Sequence, residues 1–188
     1  MSTAKLTAQS LIDSPLGQVL LARTEHGLAG LWFTEGQRDF PGTLGAASRP
    51  DDALFQQVQS NLQQYWAAPA GQAMDFKVPL DLIGTPFQQA VWRALLAIPH
   101  GGICSYGDIA RRLGSPQAVR AVGGAVGRNP ISIIVPCHRV VGQNTQLTGY
   151  SGGLHRKIAL LAQEGHAVQG GRLQRASSLA SPTQGVLL

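Results

Sequence analysis

Cysteine is scarce in this sequence: of 188 residues, only Cys104 and Cys137 carry thiols. Two thiols cannot build a disulfide framework, so a reducing compartment with a functional cysteine is favoured over a structural bridge. Long apolar runs are missing too. No stretch approaches the ~18 residues that a membrane-spanning helix needs, and MSTAKLTAQSLIDSPLG has no apolar core before a small-residue cleavage site. A cytoplasmic protein without a membrane partner is expected. Acidic residues are nearly absent from one region, since residues 87–160 hold only Asp108 against Arg93, Arg111, Arg112, Arg120, Arg128, Arg139, Arg156 and Lys157. Residues 1–86 show the reverse, with eight acidic groups against five basic ones. A basic, arginine-dominated second region fits a polyanionic partner, although a merely soluble basic surface has the same composition.

With 44% hydrophobic residues, the chain can bury one large core or two small ones. SLIDSPLGQVLLARTEHGLAGLWF reads as apolar strands separated by SPLG and TEHG turns, a small antiparallel meander. Asp51 or Asp52 then caps a helix whose Leu54, Phe55, Val58, Leu62, Tyr65 and Trp66 form one apolar stripe. FKVPLDL is a candidate extra strand. Thr85 followed by Pro86 opens a helix, PFQQAVWRALLAI, and places a domain boundary near Gly84. The expected organisation is a scaffold domain over 1–83, a second domain over 84–168 and a disordered Gly-, Ser- and Gln-rich tail over 169–188.

Two short helices follow in the second domain. Ser105 with Asp108 forms a capping-box-like start for SYGDIARRL, and Ser115 with Pro116 starts PQAVRAVGGAVGR, which together give a helix-turn-helix pattern. On the second of these helices Gly123, Gly124 and Gly127 fall within about 60° of Arg120. Each helix glycine costs about 1 kcal/mol relative to alanine, so something must approach that backbone closely: a crossing helix or a nucleic-acid groove.

Residues 133–141, IIVPCHRVV, begin and end as a buried strand would, yet carry a proline, a thiol, an imidazole and an arginine at the centre. A run that only filled a core would have continued with Val or Ile. A free thiol is only about 3% thiolate at pH 7, so a nucleophilic Cys137 needs a partner. His138 is adjacent, but on an extended chain successive side chains point to opposite sides, so contact requires a turn or a bridging water. The plainer alternatives are a small buried hydrophobe and a core histidine.

RAVGGAVGRNPISIIVPCHRVVG, followed by TGYSGGL and LLAQEG, resembles the active-site region of the O6-alkylguanine-DNA alkyltransferases, and PFQQAVWRAL and SYGDIARRLG resemble the start of that family's DNA-binding domain. The likeness covers about residues 84–166, and the first domain more loosely resembles the family's RNase-H-like domain. The implied fold is a two-domain α/β protein: a small RNase-H-like N-terminal domain followed by a mainly helical, winged helix-turn-helix DNA-binding domain. The implied activity is direct-reversal DNA repair, an irreversible single-turnover transfer of an alkyl group from O6-alkylguanine to Cys137 without a cofactor. O4-alkylthymine is left open as a second substrate.

The resemblance also assigns roles. Glu164 orients His138 in a relay from Cys137 through a water, Asn129 braces the turn, and Tyr106 donates a proton to the guanine ring and crowds a phosphate. Tyr150, Ser151 and Val140 shape the base pocket. Arg120 fills the stack after the damaged nucleotide is extruded, with Gly123 and Arg128 on the same DNA-contacting helix, in the minor groove of double-stranded DNA. A monomer is expected. Some relatives hold a structural zinc through N-terminal cysteines and histidines; residues 1–103 here contain no cysteine, so no metal is expected. Two other readings of the same residues are a cysteine hydrolase and a non-catalytic lesion sensor.

Overall fold

The computed structural model describes residues 5–42 and 44–174. Strands β1 (Ala8–Ile12), β2 (Val19–Arg23) and β3 (Leu28–Phe33) form the expected meander, and the short β4 (Ala47–Ser48) adds parallel to β1, in the order β3-β2-β1-β4. Helix α1 (Ala53–Ala67) is capped by Asp52, whose carboxylate accepts from the amides of Leu54 and Phe55. The same carboxylate pairs with Arg23 of β2 at 3.0 Å, fixing the helix start to the sheet. Leu54, Phe55, Val58, Leu62 and Tyr65 are buried with Val19, Leu21, Leu31 and Phe33. Burying each such side chain is worth about 1.5–3 kcal/mol.

FKVPLDL forms no strand. It makes a single bridge from Leu80 to Leu28, in which the Leu28 amide donates to the Pro79 carbonyl at 2.8 Å. Proline has no N–H to extend a ladder.

Helix α2 (Pro86–Leu96) begins with a complete capping box between Thr85 and Gln88. Strand β5 (Cys104–Ser105) leads into α3 (Tyr106–Arg112), which has its own capping box between Ser105 and Asp108. Helix α4 (Val119–Gly127) starts later than the Ser115–Pro116 signal suggests. Residues 115–118 form a turn closed by the Ala118 amide on the Ser115 carbonyl, and α4 has no side-chain cap. Trp92 of α2 donates from Nε1 to the Ala125 carbonyl of α4 at 2.9 Å, locking the helices together.

Strand β6 (Val140–Val141) pairs parallel with β5, and α5 (Leu154–Gln163) closes the fold. A single buried cluster runs from Ala8 in β1 to Leu160 in α5, so the two halves share one core. The expected disordered tail is corrected at its start. β7 (Val168–Gln169) and β8 (Arg172–Leu173) form a hairpin around Gly170 and Gly171, both at positive φ, and Leu173 is buried. The rest of the expected tail, from residue 175, lies outside the described residues.

Candidate active site

The IIVPCHRVV run is a sequence of tight turns. Ile133 has φ 70°, rare for a β-branched residue, and Cys137–Arg139 form one turn of 3₁₀-helix that leads into β6. The expected strand is absent because its backbone groups are taken up locally. The Ile134 amide donates to Ser132, that of Val135 to Ile131, that of Cys137 to Val135 and that of Arg139 to Pro136. Asn129, fully buried, organises the turn: its Oδ1 accepts from the Ile131 amide, and its Nδ2 faces the Ile131 and Val135 carbonyls at 3.3 and 2.8 Å. The same nitrogen donates to the Cys137 sulfur at 3.0 Å.

Cys137 is buried, and burial pushes its thiol above the ordinary range. The Asn129 hydrogen bond and the charge of Lys157 pull the other way. Lys157 itself is buried, donating from Nζ to the carbonyls of Val140 and Thr148 at 2.6 and 3.2 Å, and burial lowers its pKa to about 8. His138 is fully buried with Nε2 2.8 Å from Oε1 of Glu164, leaving Nδ1 without a partner among the described residues. Burial lowers the His138 pKa, and Glu164 opposes it. That network makes Nε2 the protonated nitrogen.

Glu164 ends α5 as a buried carboxylate with many donors. Arg139 contacts both its oxygens, at 2.8 and 2.9 Å, and the Tyr65 hydroxyl and Gly101 amide add contacts at 3.3 and 3.2 Å. Burial alone would raise its pKa, but His138 and Arg139 hold it well below the usual carboxylate range. Arg139 also donates to the Ile98 carbonyl at 2.6 Å.

Above the thiol lies a cavity of about 170 Å³ lined by Cys137, Tyr106, Gly123, Tyr150, Ser151 and Arg38, among others. The Tyr106 hydroxyl accepts from Thr148 Oγ1 at 3.1 Å, and burial raises its pKa. The Tyr150 hydroxyl is buried, and burial raises its pKa well above the ordinary value. Val140 is buried in β6 and does not line this cavity. Arg120 is exposed on α4, and Arg128 is exposed at its C-terminal cap. A Cβ at Gly123 or Gly127 would meet its first neighbour only at 3.9 Å, and at Gly124 it would meet only the flexible Arg128 guanidinium. Among the described residues no crossing helix explains these glycines; the face is open there.

Two family profiles match the chain: the ribonuclease-like domain of 6-O-methylguanine DNA methyltransferase over residues 8–82, and the DNA-binding domain of the same family over residues 86–166. The chain belongs to the methylated-DNA–protein-cysteine methyltransferase family. A family member from Mycobacterium leprae is 48% identical over 157 residues, covering 84% of this chain and 92% of the relative. The constitutive enzyme of Bacillus subtilis is 43% identical, covering 74% and 84%. The crystal structure of Mycobacterium tuberculosis OGT in complex with DNA superposes with TM-score 0.76 at 46% identity, covering 85% and 93%. The methyltransferase from Pyrococcus kodakaraensis gives 0.61 at 27%, covering 84% and 99%. The fold is therefore the expected α/β pair of a ribonuclease-like domain and a DNA-binding domain.

Several residues in and around this candidate site carry no sequence signal. Arg139, Arg156 and Lys157, counted above with the basic surface, are buried and donate to a carboxylate or to backbone carbonyls. The exposed basic set of residues 87–160 is thus Arg93, Arg111, Arg112, Arg120 and Arg128. Arg38 and Gln37 reach the site from the first half. The Arg38 amide donates to the Ser151 carbonyl at 3.0 Å, and Gln37 Oε1 lies 3.5 Å from the Ser132 hydroxyl. Nothing in the composition of the EGQRDFPG loop distinguishes such residues from ordinary surface polar groups.

Proposed function

We propose that Cys137 is the acceptor thiol of this DNA-repair methyltransferase, and that its substrate is O6-alkylguanine presented from the minor groove of duplex DNA to a monomeric protein in the cytoplasm. The observation that carries the reading is the Cys137 sulfur at the base of the cavity, held by Asn129 at 3.0 Å. The thiol loses its proton toward His138, whose Nδ1 is the nitrogen not committed to Glu164. The sulfur lone pair attacks the alkyl carbon, the carbon–oxygen bond breaks, and the electron pair returns to the base. A proton from Tyr106 to the guanine ring makes the base a neutral leaving group.

Asn129 supports the thiolate by donating to sulfur, and Glu164 supports the imidazolium that forms when His138 takes the proton. Tyr150 and Ser151 wall the base, while Arg120, Gly123 and Arg128 on α4 meet the DNA. Extrusion of the base costs a few kcal/mol, less for a mispaired lesion, and Arg120 occupies the vacated stack. The five exposed arginines make the affinity salt-sensitive and largely indifferent to sequence.

A thioether has no acyl carbonyl for water to attack, so the protein is consumed by its reaction. Intact mass after incubation with excess O6-methylguanine oligonucleotide tests this. One methyl group on the peptide containing Cys137 and a burst equal to the protein concentration are expected. Repeated turnover, or a methyl group on Cys104 in place of Cys137, would overturn the assignment.

A further inference from the structure

Arg156, in the first turn of α5, is buried yet pairs with no carboxylate among the described residues. Its guanidinium instead donates to three backbone carbonyls from three separate segments, each at 2.8 Å: Nε to Leu16 in the β1–β2 turn, and Nη1 to both Glu35 after β3 and Gly152 in the cavity loop. The group stands 4.3 Å above the centre of the Phe33 ring, which supplies a cation–π contact. A Cβ at Gly17 or Gly36 would come within 3.2 or 3.4 Å of the same guanidinium, so both turns close tightly around it.

Gly152 directly follows Tyr150 and Ser151, which line the cavity, and the Gly153 amide donates back to the Tyr150 carbonyl. One guanidinium therefore ties the cavity loop to the end of β3 and to the β1–β2 turn. We propose that Arg156 is a positioning residue of the alkyl-transfer site, holding the Tyr150–Gly153 loop at the spacing from the first half of the chain that a flipped base requires. The proposal rests on the reading of the cavity as the base site.

The chemistry of arginine is required by the geometry. Three carbonyls around one planar group need a fork with several fixed donors, and a lysine ammonium at the end of a flexible stem cannot reproduce that spread. Loss of the fork leaves three carbonyls without their partner and frees the loop on the side facing β3. The thiol end of the site is untouched, because Cys137 is held by Asn129 and by the turn of residues 130–139. Arg156 should consequently control how well the base is bound and leave the intrinsic reactivity of the sulfur unchanged.

The test compares Arg156→Lys and Arg156→Met with the natural protein at a temperature below the melting point of each. The concentration of free O6-benzylguanine that half-saturates alkylation should rise about fivefold or more in Arg156→Met, and by less in Arg156→Lys, which keeps the charge and a single donor nitrogen. The rate of Cys137 alkylation by iodoacetamide should stay within about twofold of the natural protein, since this small probe needs no base site. Should Arg156→Met not fold, Arg156→Lys and Phe33→Leu, which removes the ring beneath the guanidinium, carry the same comparison. Unchanged half-saturation in a folded variant, or equal losses with both reagents, would overturn the proposal. A natural protein that reacts with iodoacetamide but never with O6-benzylguanine would instead remove the base-site reading, and this proposal with it.

Discussion

Asn129 Nδ2 donates to the Cys137 sulfur at 3.0 Å while also lying 2.8 Å from the Val135 carbonyl, so one amide holds both the nucleophile and the turn that presents it. Asn129→Ala removes a donor that favours thiolate and leaves buried backbone groups unpaired, each worth about 1–3 kcal/mol. The pH profile of iodoacetamide reaction at Cys137 should move to higher pH, and the denaturant midpoint should fall. A profile that stays in place would separate Asn129 from the thiol chemistry.

Glu164→Gln should affect stability before it affects chemistry. The carboxylate answers His138, Arg139, Tyr65 and the Gly101 amide, and the substitution leaves the buried Arg139 cation without its counter-charge. Breaking a buried pair in this way costs about 3–5 kcal/mol. Because the folded-state pKa of Glu164 is depressed, its contribution is present above the ordinary carboxylate range and is lost as pH falls toward the folded value. Urea melts from pH 6 downward should therefore show a steeper decline for the natural protein than for the variant.

Lys157 gives a pH signature of the same sign in a more alkaline window. Its pKa is lowered from 10.5 to about 8, so between those values the unfolded chain retains a proton that the folded chain has released. Stability from this group rises with pH across that window, and the penalty is complete below pH 8. Lys157→Met should flatten the dependence between pH 8 and 10, and it should raise the thiol pKa of Cys137 by removing a nearby positive charge. A thiol titration that matches the natural protein would show that the ammonium does not act on the sulfur.

Arg120→Ala should slow repair of O6-methylguanine in duplex DNA by tenfold or more, on the order of 1.4 kcal/mol, while reaction with free O6-benzylguanine stays close to normal, because only the duplex requires base extrusion. Equal rate losses on the two substrates would remove Arg120 from the flipping step.

The local signals of the sequence translate well into structure. Thr85 with Pro86, Ser105 with Asp108, and the stripe from Leu54 to Tyr65 all depend on neighbours within four residues, and all appear where those rules place them. Cys137, His138, Asn129 and Glu164 stand out in the sequence through an uncommon run and a family likeness, and the fold pairs Asn129 with Cys137 and His138 with Glu164. What could not be read depends on distant partners. IIVPCHRVV has strand composition, but Asn129 takes over its backbone groups, and the cations Arg139, Arg156 and Lys157 look like surface charge until their buried acceptors are known. The Gly170–Gly171 pair was a hairpin signal of the local kind, obscured by the low-complexity residues that follow.

One backbone contact ties these halves together in a way the domain boundary conceals. The Leu31 amide of β3 donates to the Pro130 carbonyl, and the Ser132 amide returns a bond to the Leu31 carbonyl, both at 2.9 Å. β3 is the outer strand of its sheet, and the segment leading to Cys137 lies along its free side. An uncovered outer strand is a template for any passing chain to add to. Residues 79–81 already cover the Leu28 end of that side, so the segment before Cys137 covers the part around Leu31 that they leave open. The reactive segment thus also closes an outer strand edge of the kind that would otherwise invite pairing.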